Sequence, residues 1–201
     1  MNPKRLDLIQ EIDQLWDPVY PYLTKQIVEV YGRGNGDVVE IGPFCGVIFD
    51  LKRKRIGSSF FIATFPPSMA HFFSQEAKRQ NLEDKITIIE TNPSLVGVED
   101  NRFDLIIFRG AFFFPSVFEV NFQAIDRILR KDGVALLGGG FGKFTPESVI
   151  KKIGKRSRDL NLEIGKVEVT PDQLRKDIDA NHLKGKVEVT SEGGLWVKMR
   201  K

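Results

Sequence analysis

Its 201 residues, 41% apolar and 28% charged, are enough for one well-buried domain and too few for two ordinary ones. Thirty Lys and Arg against 27 Asp and Glu leave a formal charge of +3, too slight to argue a nucleic-acid partner, so the basic runs at 52–55 and 151–158 read as solvated helix faces. One cysteine excludes an internal disulfide, the two histidines are far apart and make no zinc-type cluster, no run approaches the roughly 18 apolar residues of a membrane span, and the N-terminus shows no apolar signal core. This composition fits a reducing cytoplasm. The opening residues 4–31 carry Leu8, Ile9, Ile12, Leu15 and Trp16, then Leu23, Ile27, Val28 and Val30, at helical spacing. Pro18 and Pro21 interrupt that pattern, which predicts two helices with a kinked joint at 17–22. Gly32 to Gly36 then turns the chain into its first strand.

The organising stretch runs from Asp37 to Gly46 and reads Asp-Val-Val-Glu-Ile-Gly-Pro-Phe-Cys-Gly. An apolar run ending in a carboxylate and a glycine turn, followed by the helix-like 47–51, predicts strand, ligand-sized turn and helix, the opening unit of a doubly wound α/β domain. Ser58–Thr64 is the second strand, closed by Phe65, Pro66 and Pro67. The helix over 68–80 turns Met69, Phe72, Phe73 and Ala77 to the core and leaves His71 off that face. Lys85–Asn92 supplies the third strand, Arg102–Ala111 is a further apolar run, and a helix is expected over 116–130. Lys131, Asp132 and Gly133 then turn into the apolar run 134–138. Gly138 to Gly142 is a glycine-rich segment at its carboxyl end: a mobile loop, or a backbone passing close to something. It is no phosphate-binding loop, because Gly142-Lys143 is followed by Phe144. Thr145-Pro146 and Thr170-Pro171 announce helices over 146–160 and 171–182, and 186–190 with 195–199 form a hairpin across Ser191–Gly194. The hexapeptide Gly-Lys-Val-Glu-Val-Thr occurs at 165–170 and 185–190, but only the second copy has a hairpin partner, so no structural repeat follows.

In this order the elements, over about residues 20–200, resemble the class I S-adenosylmethionine-dependent methyltransferases. The local matches are the first turn, Arg102 to Ala111 on the family's fourth strand, and Lys131-Asp132-Gly133 leading into the fifth. The resemblance implies a Rossmann-like α/β fold with a mostly parallel seven-stranded sheet and a C-terminal antiparallel hairpin. A helical cap, 1–36, would sit on a methyltransferase-like domain, 37–201. It implies S-adenosylmethionine as cofactor, with Glu40, Gly42, Phe44 and Gly46 at its methionine end. Thr64 and Phe65 stand where the ribose is held, Asn92 where adenine is read, and Arg109 at the end of the fourth strand.

Two positions depart from the family pattern. Phe44 occupies the middle glycine of the turn, where a bare backbone lets the ligand approach, and Thr64 stands where an Asp or Glu takes both ribose hydroxyls. Tyr20, Tyr22, Arg109, Phe112 and Phe113 are the substrate-side candidates. The two tyrosines either cap a ligand or pack the helix joint; the phenylalanines either line a pocket or lie under the N-terminal helices; Arg109 either meets a substrate anion or pairs with a surface carboxylate. No catalytic residue is assigned. Arg109-Gly110-Ala111-Phe112 replaces the Asn/Asp-Pro-Pro-Tyr motif of the amino-methyltransferases, and the one cysteine, Cys45, lies in the first turn, away from the place of a cytosine-C5 nucleophile. Methyl transfer to a small molecule is the leading expectation. The alternative is a subunit of the same fold that has lost turnover and serves binding or assembly. A nicotinamide oxidoreductase comes last, since it needs the ribose acid and predicts no terminal hairpin. A homodimer is left open.

Overall fold

The N-terminal segment forms α1 (Pro3–Leu15) and α2 (Tyr20–Tyr31), joined at the expected proline break. Alternation of strand and helix then gives β1 (Asp37–Ile41), α3 (Val47–Arg53), β2 (Ser59–Thr64), α4 (Pro67–Arg79), β3 (Thr87–Glu90), β4 (Phe103–Arg109), α5 (Phe122–Ile128) and β5 (Leu129–Gly139). After them come α6 (Glu147–Ile164), α7 (Pro171–Ala180), β6 (Lys186–Thr190) and β7 (Leu195–Arg200). The structure, a computed structural model, describes residues 3–181, 183 and 186–201; the expected last residue of α7, 182, lies outside the described residues.

The strands make one sheet in the order β3-β2-β1-β4-β5-β7-β6. Pairing is parallel from β3 to β5, and β7 runs antiparallel to both β5 and β6. This is the seven-stranded, mostly parallel sheet with a terminal hairpin that the sequence predicts. Burial explains it: every residue of β4 is buried and so are four of five in β1, as expected for parallel strands covered on both faces by crossover helices. The strand order reverses between β1 and β4, and the carboxyl ends of those two strands open the crevice where such sheets bind ligands.

The third strand, expected over Lys85–Asn92, is shorter, Thr87–Glu90, and leaves Asn92 outside it; around α5 and α6 the boundaries differ from the sequence reading for local reasons. The helix expected over 116–130 begins only at Phe122, because the Asn121 side chain accepts from the Ala124 amide at 2.9 Å and caps it there. At its other end the chain passes directly into β5, whose residue Asp132 takes the left-handed conformation (φ +63°) of the expected turn. The helix expected over 146–160 runs on to Ile164 and stops at Gly165, with φ +105°. Thr145 does not cap it; its hydroxyl donates to the Phe141 carbonyl, and Pro146 holds the N-cap position. Thr170 does cap α7, accepting from Gln173 N at 3.2 Å.

The glycine-rich segment after β5 is a close approach of backbones. A Cβ at Gly138 would lie 2.2 Å from the Leu195 carbonyl oxygen, and one at Gly140 would lie 2.4 Å from Gly194 Cα. Glycine is required there so that the β6–β7 hairpin turn can close against the end of β5. Gly140 also sits at φ +145°. Gly140→Ala is therefore expected to destabilise the domain by about 2–4 kcal/mol. Urea unfolding followed by circular dichroism measures it, and an unchanged midpoint would contradict this packing.

Candidate functional site

Glu40 ends the polar-free stretch of β1 and is fully buried. Its Oε2 accepts from the Ile48 amide at 2.8 Å, one of the orphan donors at the start of α3, so the carboxyl ties strand, turn and helix together. Its Oε1 has no hydrogen-bond partner. Facing it from the end of β4 is Arg109, also buried, whose Nη1 lies 3.9 Å from Glu40 Oε1 and 3.7 Å from Asp13 Oδ1 of α1. Those separations are ion pairs without hydrogen bonds, and Nη1 too is unpartnered. Two rings hold the guanidinium: Tyr20 at 4.6 Å and Trp16 at 5.2 Å. The Tyr20 hydroxyl donates to Asp13 Oδ1 at 2.7 Å, closing the cluster.

Burial dominates the protonation of this cluster. It raises Glu40 to about 8 and Asp13 to about 6, with the nearby Arg109 charge opposing the rise in both. Burial works against the Arg109 charge as well, yet Tyr20, Glu40 and Asp13 raise its pKa. The guanidinium stays charged, and the carboxyls adjust to it.

The crevice between β1 and β4 is filled by the protein's own rings. Phe44 reaches across it: a Cβ on Gly110, just past β4, would lie 2.8 Å from the Phe44 ring, which itself packs on Phe114 at 5.1 Å between centroids. Tyr20 covers the other end, since a Cβ on Gly46 would fall 2.1 Å from its ring. Gly42, at φ +96°, gives way to Phe108 in the same manner, at 2.7 Å. All three are glycines because an aromatic side chain of this chain rests on them.

Beyond that aromatic partition lies a cavity of about 730 Å³, between the ends of β4 and β5, α1 and α6. Trp16 and Phe141, stacked at 4.9 Å, form one wall, while Phe113, Phe114 and Phe44 form another. On the opposite side, at the ends of β2 and β3, a smaller cavity of about 310 Å³ is lined by Phe65, Pro66 and Pro93.

Of the residues singled out from the sequence, Glu40, Gly42, Phe44, Gly46, Tyr20 and Arg109 thus meet at the crevice. Phe113 lines the large cavity and Phe65 the small one. Thr64 is fully buried and donates its hydroxyl to the Gly42 carbonyl at 3.0 Å, bracing the turn. Asn92 is exposed, and its Oδ1 accepts from Ser94 N at 2.9 Å. Phe112 stacks on Phe122, and Tyr22, half-buried on α2, lines neither cavity. Sequence reasoning missed Asp13 and the α6 wall with Ser157 and Asn161. A signal existed for Asp13: it shares the apolar stripe of Ile9, Ile12 and Trp16, where a carboxylate needs a buried partner.

Residues 39–137, β1 through most of β5, match the family model described as the methyltransferase domain, so the resemblance read from the sequence holds for the part that builds the crevice. Among curated proteins no significant match is found. A solved structure of a putative S-adenosyl-L-methionine-dependent methyltransferase from Methanococcus maripaludis is similar with a TM-score of 0.78 at 23% identity, over 98% of this chain and 91% of that one. A methyltransferase of the same cofactor dependence from Aquifex aeolicus gives 0.56 at 11% identity, over 95% and 96%. Geranyl diphosphate C-methyltransferase from Streptomyces coelicolor, bound to S-adenosyl-L-homocysteine, gives 0.59 at 12%, over 88% and 73%. At such identities these structures establish the fold.

A pH test follows from the cluster. Glu40 rises from 4.5 to about 8 on folding and Asp13 from 3.8 to about 6, so between those values the folded chain holds protons that the unfolded chain has lost. Stability therefore falls as pH rises, and above about pH 6 Glu40 alone of the two still contributes. Glu40→Gln keeps an acceptor for the Ile48 amide and removes the titration. Its thermal midpoint is expected to drop less than the wild-type midpoint between about pH 6 and about pH 9. Parallel declines would contradict the assignment.

Proposed function

We propose that this chain, built on a methyltransferase-type sheet, transfers a methyl group from S-adenosylmethionine to a small molecule. The observation that carries the reading is the pair of orphaned buried atoms at the strand-order switch: Glu40 Oε1, an acceptor, beside Arg109 Nη1, a donor. An amino-acid tail presents the complementary pair, a carboxylate for the guanidinium and an ammonium whose charge would bring the Glu40 carboxyl, held protonated to about pH 8 by burial, into its ionised form. By its donor set the site suits the methionine end of that cofactor. Gly42 and Gly46 shape the turn beside it, and Phe65 lines the small cavity toward the β2 and β3 ends, where the adenosine would lie with Asn92 at its edge. Thr64, its hydroxyl committed to Gly42, would support the turn and leave the ribose to other groups.

When bound, the cofactor supplies a sulfonium methyl, an electrophile that needs no protein acid for its departure. The contribution of the chain is then positional: to hold an acceptor in line at the Gly110 end of the large cavity and to keep water out with the Phe113 and Phe114 rings. Phe44 has to leave the crevice first. Its ring borders the large cavity and has space on that side.

A second reading is favoured by the same ring. Phe44 seated on Gly110 and Tyr20 on Gly46 leave the crevice closed, which is what a binding or assembly subunit without turnover would show. Titration calorimetry separates the two. The enzyme reading expects micromolar binding of S-adenosylmethionine and S-adenosylhomocysteine, and Phe44→Gly to tighten both by about tenfold, since the cost of displacing the ring is removed. No binding by either protein would leave the subunit reading.

A further inference from the structure

The large cavity carries a charge pattern of its own. Its inner walls are mostly apolar, and three polar side chains among them are bonded together: Trp16 Nε1 donates to Ser157 Oγ at 2.9 Å, and Asn161 Nδ2 to the same oxygen at 3.4 Å. Gly139 exposes bare backbone to the space, with Phe113 the nearest ring. Four charged residues line it: Arg109 at the deep end, and Arg158, Lys166 and Glu168 at the exposed mouth. Arg109 faces Asp13 and Glu40, and in the proposed complex its free Nη1 is taken by the cofactor's carboxylate. At the mouth the balance is different. Among the described residues neither Arg158 nor Lys166 has a carboxylate within ion-pair distance, although α6 neighbours such as Lys151 and Arg156 do. Lys166 Nζ lies over the Phe113 ring, 5.1 Å from its centroid, at the edge of the cavity. Leu162 and Val167, 62% and 40% exposed, add apolar surface to the same rim, where an exposed leucine gains nothing from water.

We infer that this cavity receives an amphipathic acid: an aromatic or otherwise planar apolar body between the Trp16–Phe141 and Phe113–Phe114 walls, with its anionic group at the mouth between Arg158 and Lys166. The inference rests on the cavity being the acceptor chamber of the proposed methyl transfer, and it names the class of acceptor. The anion sits at the mouth because two cations without an ion-pair partner stand there against the single carboxylate of Glu168. The opposite end of the molecule then reaches Gly110 at the deep end of the cavity. A cation of the same shape is disfavoured by the same charges.

Trp16, in the cavity wall, reports occupancy through its fluorescence. Wild-type protein is titrated with 2-naphthylacetate, 2-naphthyl phosphate and the neutral 2-naphthylacetamide, which share one body. At least one anion is expected to bind about tenfold more tightly than the amide, and the stronger anion tells carboxylate from phosphate. Arg158→Gln with Lys166→Gln, both at exposed positions, is expected to erase that advantage while leaving amide binding intact. Gly154→Leu, which projects into the cavity from α6, is expected to abolish binding of all three. Equal binding of acid and amide, an advantage that survives the double substitution, or no binding by folded wild type would each overturn the inference. Calorimetry with S-adenosylhomocysteine is run alongside. Acid binding without cofactor binding upholds the ligand class and removes the methyl transfer, and the reverse result removes the ligand class alone.

Discussion

A guanidinium that cannot lose its proton is buried at the carboxyl end of the central strand, and the surrounding structure is arranged to keep it there. Desolvating such a charge costs several kcal/mol unless opposite charges and polarizable groups surround it. Arg109 finds Asp13 and Glu40 at 3.7 and 3.9 Å and two aromatic rings within 5.2 Å. Those partners come from α1 (Asp13), the joint after it (Trp16), the start of α2 (Tyr20) and β1 (Glu40). One charge therefore fastens the N-terminal helices over the switch point of the sheet. The ion pair between Arg156 and Glu11 and the Trp16–Ser157 hydrogen bond extend that attachment to α6.

The same arrangement divides the carboxyl edge of the sheet into compartments. Phe44, Phe114 and Tyr20 fill the space above the first turn, with a small cavity on the β2 side and a large one on the β5 side. A cofactor lying across a sheet of this topology would run from one to the other, through the position of the Phe44 ring. The partition is made of side chains, whose rotation is far less costly than moving strands. The polar atoms it covers are left without hydrogen bonds, a state that a ligand with an amino-acid tail would relieve and that water cannot reach.

Much of this was legible in the residues. The succession of strands and helices along the chain followed from the alternation of apolar runs and helical patterns, the hairpin from the alternation of 186–190 and 195–199 about two glycines, and the attention to Glu40 from a carboxylate at the end of an apolar strand. Phe44 was identified as a ring in a glycine's place, and the coordinates show what it does there. What could not be read was how each polar group spends its hydrogen bonds. Thr64 turns inward to Gly42, and Asn92 accepts from its own turn; both identities are equally compatible with facing a ligand. Asp13 and the α6 wall escaped notice because Asp13 lies 96 residues before Arg109 and Ser157 48 residues after it, a juxtaposition that helical periodicity does not encode.

The central claim is that the ring of Phe44 holds the place of an amino-acid tail between Glu40 and Arg109. A crystal structure of the protein grown with S-adenosylhomocysteine tests it most directly. The account expects the tail of the ligand against those two side chains and the Phe44 ring turned toward the large cavity. Ligand bound elsewhere, with the ring still seated on Gly110, would contradict it.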